Sequence, residues 1–378
     1  MDKIRAFIKD NRDVFLCYIG SKILFIVVLL LTRTSYSDVL GLFDAAHYRD
    51  IAREGYYVDG VTVFFPMIPL IMRFTGEAGL IIINQAAFIA GIYNLKKILM
   101  RVKDSETVWI LAILSVSPMA VFTSVLYTES VYFFLTVFAF RLFIEGRLPL
   151  VQGIAIGLSV LTRNTGSLLF FAVFTGYILK FIMEKQNRKR TLTDIIMCYV
   201  PASVISLIYP VFLQIRFGNW KIFMDAQYTY WIRIPSNIVR TVFISLKVIF
   251  TDEYGFDGMP DTIILFKINE ALSLLFMILV IVLIIREIIR MRRIGKISVP
   301  SIVCIVYSIL FIIALGMTIR DPALDCPTDS FYRYYVSLFP LYLGFSHTGK
   351  KARQVALIVS LLLTLMTAPL FCMGSFFF

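Results

Sequence analysis

Charge is scarce in this chain: of its 378 residues 16% are Asp, Glu, Lys or Arg, against 59% hydrophobic. A soluble domain of that length needs far more polar surface, so lipid must cover much of this one. Histidine is scarcer still, with His47 and His347 the only two. The five cysteines, at 17, 198, 304, 326 and 372, show no metal-ligand spacing, and at least three fall inside apolar runs. Neither a zinc site nor a disulfide framework is implied. There is no Asn-x-Ser/Thr sequon, which is compatible with a bacterial plasma membrane. Internal repeats and low-complexity tracts are also missing, so an inverted-repeat transporter and a solenoid both lack support.

What is present is apolar sequence in long runs, with 34 Phe and 19 Tyr, and a formal charge of +12. The basic residues sit in short clusters between the runs. That placement fixes membrane topology and excludes nucleic acid as the partner. About eleven segments are apolar and long enough, or nearly so, to span. They cover roughly 14–32, 78–96, 107–125, 130–145, 148–163, 165–183, 193–214, 264–285, 298–319, 331–347 and 354–373. The first reads as a retained signal anchor, being too long for a signal peptide and without a small-residue cleavage site. With the N-terminus cytoplasmic, the clusters around Lys3–Arg12, Lys96–Lys103, Lys185–Arg190, Arg286–Lys296 and Lys350–Arg353 all fall inside. Loops 33–77, 118–130, 215–263 and 320–330 then share the extracytoplasmic face, with acids such as Asp44, Glu129, Asp225 and Asp325. The expectation is an all-α, polytopic integral membrane protein of one transmembrane domain, 1–378, with a chemically equipped first outer loop. Within the outer loops, Val61–Phe74 contains Pro66 and Pro69 and reads as a bent surface segment, while Asn237–Phe250 reads as an interfacial amphipathic helix.

The first outer loop carries the run Phe43-Asp44-Ala45-Ala46-His47-Tyr48-Arg49-Asp50-Ile51-Ala52-Arg53-Glu54-Gly55-Tyr56-Tyr57. As a helix ending at Gly55 it places Asp44, His47 and Tyr48 at i, i+3 and i+4, on one face. A carboxylate and an imidazole side by side suit transfer of a group to a hydroxyl, where a base accepts the proton and a polar or cationic group holds the leaving phosphate. A charged loop with a helix cap is the alternative reading of the same residues.

That run, followed by Val63-Phe64-Phe65-Pro66-Met67-Ile68-Pro69-Leu70, resembles the first outer-loop signature of the PIG-V-type mannosyltransferases, with Phe43 where the family usually has Trp. Leu126-Tyr127-Thr128-Glu129-Ser130 is similar to the family's Tyr-[Ser/Thr]-Glu-Ser, and Thr162-Arg163-Asn164-Thr165-Gly166 to its Thr-Arg-x-x-Gly. Phe217-Gly218-Asn219-Trp220, Ala226-Gln227 and Trp231 resemble a region of the bacterial members, with Asn219 where Asp is common. Arg333-Tyr334 and Leu338-Phe339-Pro340-Leu341 resemble the late Arg-Tyr and Phe-Pro-Leu motifs. The family is of the GT-C class of membrane glycosyltransferases and includes the second mannosyltransferase of GPI-anchor synthesis. The resemblance implies an inverting transfer of a hexose, mannose by the family name, from a polyprenyl-phosphate donor to a lipid- or glycan-linked acceptor, with no cofactor and no metal indicated.

On this reading Asp44 is the base and His47 assists; Arg333 and Arg163 hold the donor phosphate; Tyr48, Glu129, Gln227 and Trp231 contact substrate. Each has a plainer alternative. The arginines could snorkel to the headgroups, Glu129 could bind a metal or cap a helix, and Trp231 could anchor at the interface. Gln227 and Trp231, four apart, would share a helical face. Lys22, inside the first span, has no assigned role. The setting is the cell membrane, or the endoplasmic reticulum membrane in a eukaryote. A flippase for a lipid-linked sugar predicts ionisable residues through the midplane, which this chain lacks. A phosphoethanolamine-type transferase predicts a His/Asp metal cluster, against which the single outer histidine argues.

Overall fold

The computed structural model describes residues 2–101, 107–251 and 260–375. Lys103 and positions 252–259 of the long outer loop lie outside the described residues. The chain opens with α1 (Asp2–Asp10) and α2 (Arg12–Thr32), then a capped turn, α3 (Tyr36–Leu40), and the helix of the first outer loop, α4 (Asp44–Glu54). A 3-10 turn at Asp59–Val63 leads into α5 (Met67–Arg101). Next come α6 (Thr107–Val116), α7 (Met119–Phe122), α8 (Glu129–Glu145), α9 (Pro149–Thr162), α10 (Gly166–Met183) and α11 (Arg188–Phe217). The segment after α11 holds α12 (Ile222–Thr229), strand β1 (Arg233–Pro235) and α13 (Ile238–Phe250). The remainder is α14 (Pro260–Ile294), α15 (Val299–Gly316), strand β2 (Thr318–Arg320), α16 (Phe331–Val336), α17 (Phe339–Leu343) and α18 (Lys350–Cys372). The two strands pair antiparallel with Arg233 opposite Arg320.

Seven of these helices, α2, α5, α10, α11, α14, α15 and α18, are long and apolar enough to cross a membrane, and α6 and α9 are shorter apolar helices. The chain is therefore a multi-pass helical membrane protein, with fewer such helices among the described residues than the eleven expected. Four expected spans fall short: α8 and α9, at 17 and 14 residues, are shorter than the seven, and the other two are broken. The segment expected at 107–125 stops as α6 at Val116, before Ser117-Pro118, and continues as the short α7 and an irregular stretch. The one expected at 331–347 is broken between Val336 and Phe339, where Leu338 is extended ahead of Pro340. Both broken segments are buried in protein. Only there can irregular backbone sit at membrane depth, because protein groups replace the missing helical bonds.

Helix α8 is the hub, buried along nearly its whole length against α5, α9, α10 and α17. Helix α9 meets α11 through Gly153 and Gly157. A Cβ on Gly153 would fall on the Cys198 carbonyl oxygen, and one on Gly157 would come within 2.7 Å of Ile205. Small residues four apart allow this close approach where no hydrophobic effect drives association. Helix α5 kinks at Gly76 (φ 69°). Pro69 lies in its first turn, where a missing N–H breaks nothing, so Met67–Phe74, expected as part of a bent segment with broken helical bonding, is regular helix. Asn237–Phe250 is the expected helix, capped by the Asn237 side chain, with Val239, Phe243, Leu246 and Phe250 on an exposed stripe. The helices alternate in direction, so α4, the start of α8 and α16 share one end of the bundle. The clusters Lys96–Arg101, Lys185–Arg190, Arg286–Lys296 and Lys350–Arg353 share the other.

Candidate active site

Helix α4 runs from Asp44 to a C-cap at Gly55, whose φ of 81° suits glycine. Asp44 begins the helix, where a carboxylate meets the positive end of the helix dipole. Its Oδ2 accepts a 2.6 Å hydrogen bond from Nη2 of Arg333. Arg333 Nε lies 2.9 Å from Glu129 Oε1, close enough for an ion pair but misaligned for a hydrogen bond. The same Glu129 oxygen accepts from Arg163 Nη1 at 3.0 Å. Four charges from four places in the sequence thus form one chain, Asp44–Arg333–Glu129–Arg163, with no net charge. Glu129 is 0% exposed, Arg333 3% and Arg163 6%, while Asp44 keeps 23%. The carboxylate of Asp44 is the open end of an otherwise closed network. Its Oδ1 makes no hydrogen bond within the described residues.

Burial of this kind needs both pairing and ring contact. Arg333 lies over Tyr127 (4.9 Å) and Arg163 over Tyr334 (4.2 Å). Neither arginine reaches outward as a snorkelling side chain would. Arg163 Nη2 is buried without a hydrogen-bond partner within the described residues. Glu129 neither caps α8 nor faces open space: it bridges the two guanidiniums, a role its sequence position does not show. The Thr-Arg-x-x-Gly motif also gains a physical reason. Arg163 is the extended C-cap of α9, and the chain turns at once into α10. A Cβ on Gly166 would collide with the backbone of Ser159, so only glycine lets the corner close and hold Arg163 against Glu129.

A ring cluster borders Asp44. His47 stacks on Phe64 (4.8 Å) and meets the edge of Trp231 (5.4 Å); its nitrogens make no hydrogen bond within the described residues. Trp231 Nε1 donates to the Gly60 carbonyl at 2.9 Å, tying the two outer loops together. Helix α12 ends at Thr229, so Gln227 and Trp231 do not share the helical face their spacing suggests. Trp231 folds back onto Phe64, and the Gln227 side chain makes no hydrogen bond within the described residues. Tyr48 is buried against Phe64, and burial, reinforced by the charge of Asp44, raises its phenol well above the ordinary range. It can donate a hydrogen bond but not serve as a base.

Three residues whose backbone strain the sequence does not show hold the frame. Phe43, Ile232 and Ser330 have φ of 51°, 47° and 67°. They flank Asp44, Trp231 and the helix of Arg333, and such conformations cost of order 1–3 kcal/mol each. The irregular stretch 123–128, which delivers Tyr127 and Glu129, is bound by side chains of neighbouring helices. Asn84 donates to the carbonyls of Val125 and Tyr127, Gln85 to Thr123 and Tyr36 to Ser124. Lys22 joins them, donating to the Thr123 carbonyl and hydroxyl and, at 2.8 Å, to the Ser124 hydroxyl. A second charged group lies beside the site, where Arg320 pairs with Asp325 and, at 3.0 Å, with Asp329. Burial raises the Asp329 carboxyl, against the pull of Arg320.

No family model and no curated protein matches the chain. Among solved structures, ArnT from Cupriavidus metallidurans bound to undecaprenyl phosphate is similar, with a TM-score of 0.50 and 13% identity. The alignment covers 90% of this chain and 62% of that one. ArnT in the apo state aligns with the same coverage and identity at a TM-score of 0.47. The chain thus spans a little under two thirds of the length of the ArnT it matches. At that identity the likeness establishes the fold alone: a helical membrane fold like that of ArnT.

Proposed function

We propose that the chain is a membrane glycosyltransferase that moves a hexose, mannose by the motif resemblance, from a polyprenyl-phosphate donor to a hydroxyl of a lipid- or glycan-linked acceptor on the extracytoplasmic face. The observation that carries the reading is Asp44 itself, the one exposed carboxylate on a buried, neutralised network of two arginines and a glutamate. One oxygen is fixed by Arg333 and the other is available to accept the acceptor's proton. The acceptor oxygen then bonds to the anomeric carbon as the bond from that carbon to the phosphate oxygen breaks, with inversion. Polyprenyl phosphate leaves, its charge facing Arg333 and the unpartnered Nη2 of Arg163. His47, Trp231 and Phe64 supply a ring surface for the sugar. The motif run through Glu129, Thr162–Gly166 and Arg333 supports the family reading, and the lipid bound to ArnT supports a polyprenyl phosphate as donor.

The test is transfer of label from radiolabelled polyprenyl-phosphate mannose to a lipid and glycan extract, in liposomes, comparing wild type with Asp44→Asn. A product from wild type and a loss of at least about 10²-fold in the variant is expected. Full activity in Asp44→Asn removes the base. Retained binding without transfer in either protein redirects the search to other lipid-linked sugars, then to a flippase. Arg333→Ala would strip Asp44 of its partner and leave Glu129 with Arg163 alone, so Arg333→Lys is the sharper probe of donor affinity: it keeps the charge and loses the planar fork.

A further inference from the structure

At the opposite end of the bundle, about 24 Å along α8 from Glu129, a cavity of about 710 Å³ opens between α5, α8, α10, α14, α15 and α17. Its size falls within the roughly 300–1,000 Å³ of ligand pockets. Four cations line it, Arg101, Lys180, Arg290 and Lys296, against two carboxylates, Glu184 and Glu287. Two of the cations are already matched. Arg290 binds Glu287 through two hydrogen bonds of 2.8 and 2.5 Å, and Arg101 reaches Glu145 at 3.5 Å. Lys180 and Lys296 have no ion-pair partner within the described residues. The Lys180 amine rests 3.9 Å from the Phe143 ring centre and donates to the Phe143 carbonyl at 3.0 Å, which leaves two of its three donors for another acceptor. The rest of the wall is mostly apolar, built from side chains such as Phe140, Ile144, Leu283 and Ile284, with Ser298, Ser301, Ser308, Ser346 and His347 among them.

We propose that this cavity binds a phosphate-headed membrane lipid, its headgroup held by Lys180 and Lys296 and its chain laid along Ile144, Leu283 and Ile284. A free phosphate would satisfy the ammonium groups and leave the apolar wall wet. An uncharged chain would leave the ammonium groups unpaired. A phosphate joined to a hydrocarbon chain answers both, and membrane-spanning helices are where such a molecule is found. The site is remote from Asp44, so it stands independently of the glycosyltransferase reading.

The test uses the full chain in detergent, titrated with phosphatidic acid, phosphatidylcholine and inorganic phosphate and followed by native mass spectrometry. Saturable binding of phosphatidic acid is expected, with phosphatidylcholine markedly weaker. The double variant Lys180→Gln, Lys296→Gln should weaken phosphatidic acid by about 25-fold, taking roughly fivefold per cation. Equal affinity for the two lipids, or no change in the double variant, overturns the proposal. Competition by inorganic phosphate at the lipid's own concentration makes the site one for a free anion and overturns it too. Wild type alone gives a second reading that does not depend on the variant folding. A phosphatidic acid with a photoreactive tail should label residues 140–144 and 280–305, and labelling confined to other helices overturns the assignment.

Discussion

Helix α8 carries a glutamate at each end, and each meets two arginines. Glu145 accepts from Arg141, its neighbour one turn back, at 2.9 Å and forms an ion pair with the half-exposed Arg101 at 3.5 Å. Glu129 meets Arg163 at 3.0 Å and Arg333 at 2.9 Å, both buried and both brought from far along the chain. The first arrangement joins a mostly buried Glu145 to a neighbour on its own helix and to a half-exposed Arg101, so water still screens it and it is worth less to stability. The second exists only when three helices have docked, and any change to one member leaves charge stranded. The same residue type on the same helix is a surface clamp at one end and a keystone at the other.

The comparison breaks first at the glutamates themselves. Glu129→Gln should lower stability by about 3–5 kcal/mol, because two buried guanidiniums lose their shared anion. Glu145→Gln should lower it by no more than about 1 kcal/mol. Thermal unfolding in detergent measures both, and equal losses would make the two ends equivalent. Gly166→Ala tests the corner that aims Arg163 at Glu129. Overpacking there should destabilise by about 1–3 kcal/mol and reduce transfer more than Gly20→Ala, within α2, where a Cβ meets nothing. The smallest effect is expected at Lys22→Met, within about 1 kcal/mol of wild type. The acceptors of Lys22 have other partners: the Thr123 carbonyl receives Gln85, and the Thr123 and Ser124 hydroxyls donate to the Ala120 carbonyl. A large loss would give Lys22 a role beyond holding this stretch.

The same contrast explains what could be read in advance. Arg141 and Glu145 are one helical turn apart, and so are Asp44, His47 and Tyr48, whose helix is found as expected with Gly55 at its end. Spacing of three or four residues is visible in a string of letters. Pairing across 34 positions, as between Glu129 and Arg163, is not. Hydropathy revealed the lipid-facing helices, because exposure to lipid and apolar composition coincide there. It failed at 331–347, since a segment wrapped in protein is equally apolar whether it runs straight or breaks at Leu338. Trp231 was placed on a helix by its distance from Gln227, yet α12 stops two residues short of it, and the left-handed Ile232 turns the chain toward β1. The cavity at the basic end left no trace in the sequence, because its walls come from six helices and its cations read as ordinary topology signals.

Arginine does not give up its proton under any ordinary condition. The chain Asp44–Arg333–Glu129–Arg163 is therefore an insulator, not a wire. A proton that lands on Asp44 cannot pass inward to Glu129, and its one exit is the exposed edge of the same carboxylate. Whatever collects it must come to the mouth of the site, so the pace of recharging Asp44 is set by the access of water and buffer there, and a solvent isotope effect on turnover would report on that mouth.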